Sequence, residues 1–169
     1  MFGHEERSFL VSSTAAFIAL ITAGAWVSVP FFPVPLTLQT LFVLLSGVVM
    51  KRTAIVPAAL YVVLGAMGLP VFHNGLAGLG VLLGPTGGYI LGFVPAALIC
   101  GYAYQWKGAA IRVAGILAAV TVIYACGLAW LMYSASLALP QALFFGVLIF
   151  LPGEALKVAA AYLIGARIE

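Results

Sequence analysis

Apolar residues in this chain come in long runs, and each run stops at a proline, a glycine cluster or a basic pair. The first run, residues 9–29, is long enough for a helix that spans a bilayer, which needs about 20 residues. A second run, residues 36–50, opens on Thr37, Gln39 and Thr40, closes at Lys51-Arg52, and is short for a full span. The third covers residues 53–69 with Pro57 near its start, the fourth 89–105 and the fifth 112–133. Residues 141–150 are apolar too and lead straight into Pro152-Gly153. Two parsings of this last part are open: one long segment kinked at Pro152, or a short dipping segment followed by a helix that starts there. The second is preferred, because proline suits the first turn of a helix and Glu154 then sits near its positive end. The pattern predicts an all-α integral membrane protein of six transmembrane helices, with residues 1–169 as a single membrane domain.

The breaks between runs are informative. Residues 30–35 hold three prolines, Pro30, Pro33 and Pro35, which cannot continue a helix and predict a stiff extended turn carrying Phe31 and Phe32. Residues 70–89 form the longest irregular connection, with six glycines between Gly75 and Gly88. That is too much glycine for a regular helix and too apolar for a solvated linker. The expectation is a re-entrant loop folded back against protein. On the first segment Ala15, Ala19 and Ala23 recur at four-residue spacing, beside Ser12 and Ala16. Such a smooth ridge admits a second helix at close range, either from another protein or from within the same bundle.

Composition moves the picture firmly into the membrane. The 169 residues are 65% hydrophobic and 7% charged, against about 25% charged in a soluble domain. A net charge of +3, spread along the chain, is no nucleic-acid surface; its use is topological. Arg7, Lys51, Arg52, Lys107, Arg112 and Arg167 all fall on one side of a six-span arrangement, and the opposite connections carry no Lys or Arg. By the positive-inside rule both termini are cytoplasmic, in a multi-pass protein of the cytoplasmic (inner) membrane. The proline turn, the glycine loop and the start of the last helix then share the outer side. Residues 9–29 also resemble a signal peptide with Ala23-Gly24-Ala25 as a cleavage site, but Glu5-Glu6-Arg7 is not a basic leader, and a retained helix is expected. Cys100 and Cys126 stand alone in apolar runs, which predicts buried thiols without a metal or redox role.

One polar pair stands inside this apolar scaffold. Glu154 and Lys157 are three residues apart, on one helical face. Each costs about 2.5–3.5 kcal/mol at membrane depth on insertion scales, so such residues face protein or a cavity and mark functional sites. The pair is either a clamp between helices or the floor of a pocket. The outer side also offers Asn74, Thr37, Gln39, Tyr89, Thr86 and His73, with Phe31, Phe32, Phe72 and Trp26 as apolar cover. A few polar groups in an aromatic cleft suit a small amphipathic ligand. Catalysis is poorly supported, since the sequence has no metal-ligand cluster, no second carboxylate at this depth and no nucleophile beside a base. No G-x-x-x-x-G-K-[ST] motif occurs, so the chain has no cofactor of its own and any ATP is used by a partner.

Taken in order, Pro33-Val34-Pro35-Leu36-Thr37-Leu38-Gln39-Thr40, Gly68-Leu69-Pro70-Val71-Phe72, Gly84-Pro85-Thr86-Gly87-Gly88-Tyr89 and Pro152-Gly153-Glu154 with Lys157 resemble the BioY family. These are biotin-binding S components of energy-coupling factor (ECF) transporters. The resemblance covers nearly the whole chain. It implies a six-helix membrane protein that takes up biotin and docks on a transmembrane scaffold subunit with two ATPase subunits. Ala15, Ala19 and Ala23 would be the scaffold-facing ridge. The family's acid-x-x-Lys pair falls on Glu154 and Lys157; the acid is usually Asp, so Glu154 reaches one methylene further. Glu154 would accept from the ureido N–H groups, and Lys157 would hold either the ureido carbonyl or the carboxylate tail. Asn74, Thr37 and Gln39 would supply further polar contacts, and Phe32, Phe72 and Tyr89 would cover the ring. The rival readings are an S component for another small vitamin and a structural membrane protein whose ion pair is a clamp.

Overall fold

The computed structural model describes residues 3–168, and among them every long element is a helix. Helix α1 (His4–Trp26) runs unbroken through Ala23-Gly24-Ala25 and packs on the next helix, with Gly24 against the ring of Phe42. It ends three residues earlier than the hydrophobic run does. Val29 precedes Pro30, which disfavours helical backbone. Ser28 and Val29 instead form strand β1 (Ser28–Val29), paired antiparallel with β2 (Leu36–Thr37) in the register Ser28↔Thr37 and Val29↔Leu36. This two-residue ladder closes the base of the proline turn and delivers Thr37 to the start of α2.

Helix α2 (Gln39–Met50), a 3₁₀ turn (Lys51–Ala54) and α3 (Ile55–Ala66) follow without a loop. By length and composition residues 39–66 form a single 28-residue candidate span. Gln39 Nε2, however, donates to Tyr61 Oη, 22 positions along, which in a straight helix would lie about 33 Å away. The run therefore doubles back at the basic pair, as two segments. The reversal happens at Lys51, whose φ of 54° and ψ of −131° belong to glycine-favoured backbone. A side chain held there costs about 1–3 kcal/mol. The turn is pressed onto Gly101, where a Cβ would stand 2.0 Å from Lys51 O. Gly101→Ala should push the turn away and lower stability by about 1–3 kcal/mol, read as a drop in Tm in detergent; an unchanged Tm would show that the turn has room to spare.

Helix α5 (Gly87–Ala103) is the centre of the packing, reached after a short α4 (Leu79–Leu83). It lies along α6 (Ala109–Ser134) through small residues: Gly88 under Trp130, Gly92 on Ile123, Gly127 under Tyr89 and Gly115 on Ala103. Without a hydrophobic drive between helices in lipid, this close backbone approach supplies the dispersion contacts that hold them. On its other side α5 meets α2, where Gly47 accommodates Cys100 and the thiol donates to Leu44 O. Cys100 is buried and Cys126 half-buried, and neither forms a disulfide.

The glycine-rich connection is less irregular than its composition suggests. A 3₁₀ turn (His73–Gly75) and the five-residue α4 lie inside it, and α5 begins at Gly87 rather than Tyr89. It folds back through Val71, Phe72, Leu82 and Thr86, which are buried, whereas Asn74, Gly75, Leu76 and Leu79 are exposed. The two parsings of the last segment merge. Helix α7 (Leu139–Leu143) passes through a π turn (Phe144–Leu148) into α8 (Leu151–Ile168), bent by 43°. Pro152 sits in the first turn of α8, where its missing N–H is not needed.

Six helical segments thus make the body: α1, α2, α3, α5, α6 and the bent α7–α8 run. Lys51, Lys107, Arg112 and Ala166 line one cleft, while Glu5 and Glu6 lie beside Thr53. The proline turn, the glycine-rich loop and the start of α8 gather at the opposite end, around a separate cavity.

Candidate functional site

Glu154 and Lys157 meet in the first two turns of α8, with Lys157 Nζ 2.6 Å from Glu154 Oε2. The glutamate is 4% exposed and the lysine side chain 15%. Around them α2 contributes Thr40 and α6 contributes Tyr124, whose hydroxyls donate to Glu154 Oε2 at 3.2 and 3.3 Å. Lys157 also donates to Thr37 O at 3.2 Å and to Thr40 Oγ1. An ammonium has three N–H donors, and here all three have protein acceptors. Glu154 is asymmetric by contrast: Oε2 collects every bond, and Oε1 is buried without a partner among the described residues. An unsatisfied buried carboxylate oxygen is rare in folded proteins and calls for a donor from elsewhere.

Beside the pair lies a cavity of about 60 Å³. Its polar lining is Thr37, Gln39, Thr40, Thr86, Tyr89 and Tyr124; its apolar walls are Ile90, Phe93, Ile123 and Phe150. Val34, Pro35 and His73 come from the two loops at that end. Burial lowers the pKa of His73, so at pH 7 the ring is neutral, with one donor and one acceptor nitrogen.

The polar positions are braced from behind. Gln39 Nε2 donates to Tyr61 Oη, which in turn donates to Val71 O at 2.9 Å, tying α2, α3 and the glycine-rich loop together. Thr37 Oγ1 donates to Gln39 Oε1 at 3.1 Å. Tyr89 Oη donates to Gly146 O at 2.8 Å, and its ring stands edge-on to Tyr124 with centroids 6.3 Å apart.

Of the residues expected at the site, Glu154, Lys157, Thr37, Gln39 and Tyr89 converge on the cavity, and Thr86 and His73 join them. Phe32, Phe72 and Asn74 do not line it. Phe32 is 87% exposed at the tip of the proline turn, and it is Val34 that turns inward. Phe72 is fully buried elsewhere, edge-on to Tyr61 and filling the space left by Gly65. Asn74 lies on the exposed loop tip, with Oδ1 accepting from Ser28 Oγ at 2.6 Å. Two polar residues of the site lay outside the expected set: Thr40, in the first turn of α2, and Tyr124, which nothing in its apolar run singles out. On α1 the ridge of Ala15, Ala19 and Ala23 is exposed.

Comparison with known proteins agrees with this picture. The profile of the BioY family matches residues 6–169. A biotin transporter BioY of Thermotoga maritima is 41% identical over 155 residues, covering 90% of this chain and 91% of the relative. A probable biotin transporter BioY of Pyrococcus horikoshii is 38% identical over 160 residues, covering 94% and 95%. The fold matches a crystal structure of the S-component for biotin from an ECF-type ABC transporter. The TM-score is 0.90 at 21% identity, covering 99% of this chain and 94% of that one.

Proposed function

The chain belongs to the BioY family, and from that premise we propose that it is the biotin-binding subunit of an ECF transporter. It is a membrane transport protein and not an enzyme. In this reading residues 1–169 form one membrane domain of six spans with both termini in the cytoplasm. The support is the gathering of Lys51, Lys107 and Arg112 at one end and of the ligand cavity at the other. A scaffold subunit docks on the exposed Ala15, Ala19 and Ala23 ridge, and partner ATPases supply the energy.

The observation that carries the ligand assignment is Glu154 Oε1, a buried acceptor without a partner among the described residues, beside a lysine whose donors are all engaged. Such a floor asks for N–H donors rather than for an anion. The ureido group of biotin offers two, so that end goes down onto Glu154 and the carboxylate tail points toward the loops. Thr37, Gln39 and Tyr89 border the same space, and Ile90, Phe93 and Phe150 face the thioether ring.

Thermal unfolding of the detergent-purified protein against a panel of vitamins tests this. Biotin at about 100 times its Kd should stabilise the fold by about 2.7 kcal/mol, a rise of several degrees in Tm. Stabilisation by another vitamin and not by biotin would reassign the substrate, and no stabilisation by any would reduce the pair to a clamp.

A further inference from the structure

The seven Lys and Arg residues of the chain are unevenly placed around the cavity. Neither residues 53–106 nor residues 113–156 contain one. Lys51, Arg112 and Arg167 stand about three helical turns from Thr40, Tyr124 and Lys157 along α2, α6 and α8, roughly 15–18 Å away. No hydrogen bond spans that distance. Among the described residues, Lys157 is the only Lys or Arg lining the cavity, and Glu154, Thr37 and Thr40 take its three donors. On the loop side the lining is Val34, Pro35 and His73. Valine offers alkyl surface and proline has no N–H, so the polar side chain there is the imidazole. His73 is half-buried and is followed by the exposed Asn74 and Gly75, which places it between the cavity and the surface. Burial keeps its ring neutral near pH 7. A neutral imidazole has one donor and one acceptor nitrogen. It can donate to a carboxylate, and it can equally donate to the carbonyl of a carboxamide or accept from its N–H.

We infer that the site holds the ligand's tail beside His73 without reading its charge, so that the protein takes biotin blocked as an amide at its carboxyl end as well as the free acid. The inference rests on the biotin reading above and deepens it. Discrimination against an amide needs a cation on the tail, because a charge-assisted bond is about twice as strong as a neutral one. Here the charged recognition is concentrated at the other end of the ligand, where Glu154 Oε1 faces the ureido group and Lys157 is spent on the protein. Selectivity therefore belongs to the ring system, and the tail is free to vary in charge.

Calorimetry on the detergent-purified protein with biotin and with biotinamide, its neutral primary amide, tests this. The two Kd values should agree within about threefold, whereas a cation on the tail would favour the free acid by about tenfold or more. His73→Lys supplies such a cation deliberately. It should shift the ratio of the two affinities about tenfold toward biotin, with Tm in detergent showing that the variant is folded. A parent protein that prefers biotin to biotinamide more than tenfold overturns the proposal and leaves the biotin reading standing. That result decides by itself if the variant does not fold. An unchanged ratio in a folded His73→Lys protein overturns the placement of the tail beside His73. Binding of neither compound by the parent sinks the biotin reading, and this inference with it.

Discussion

Glu154→Gln is expected to weaken biotin binding about 10- to 150-fold. Hydrogen bonds to a charged group contribute about 1.5–3 kcal/mol, and each 1.4 kcal/mol is tenfold in Kd. In the parent, Oε2 already serves Lys157, Thr40 and Tyr124, and only Oε1 is left for a ligand. A carboxamide has one carbonyl oxygen. Three protein donors already converge at the Oε2 position, so the oxygen should stay there and the amide nitrogen should take the place of Oε1. Biotin's N–H would then meet another N–H. Thr37 O, Thr40 Oγ1 and the retained carbonyl still receive Lys157, so the loss should be in affinity far more than in folding. Calorimetry on the purified variant decides it. Affinity within twofold of the parent would show that Oε1 does not face the ligand.

How much of this site the sequence reveals depends on which physical term places each residue. Glu154 and Lys157 are visible because a charge at membrane depth is costly wherever it points. Thr37 and Gln39 are visible because a proline turn followed by polar residues marks the mouth of a helix. Aromatic residues are a different matter. Phe32 and Phe72 both read as apolar cover, yet nothing in their identity separates a loop tip from a core slot. Gly65 opens the slot that takes Phe72, and the β1–β2 ladder fixes which residues of the proline turn face inward. Asn74 is settled by backbone, with a φ of 56° at a loop tip where Ser28 captures its amide oxygen. Tyr124 is one tyrosine in a long apolar helix, and only packing against Tyr89 brings it to the carboxylate. The helix count shows the same division. Lys51-Arg52 betrays the α2–α3 reversal that length and hydropathy alone would fuse. The joining of α7 to α8 through a π turn has no mark beyond Pro152.

Lys157→Met separates the two surviving meanings of the ion pair, and it should have the larger effect on the fold. The methionine keeps most of the alkyl stem and removes the ammonium. Glu154 is then left 4% exposed with only two hydroxyl donors on Oε2. Taking one partner from a buried pair costs about 3–5 kcal/mol, because the remaining charge has lost its compensation. Thr37 O loses its donor as well, which frees the base of the proline turn from α8. Tm should therefore fall sharply and biotin affinity with it. Adding Glu154→Gln to Lys157→Met removes the stranded charge, so most of the lost Tm should return, while binding should not. The non-additivity of that cycle measures the coupling within the pair, and the failure to recover affinity measures the site. A Lys157→Met protein that unfolds more readily yet binds biotin, while folded, within twofold of the parent would make the pair a helix clamp and move the ligand contact elsewhere in the cavity.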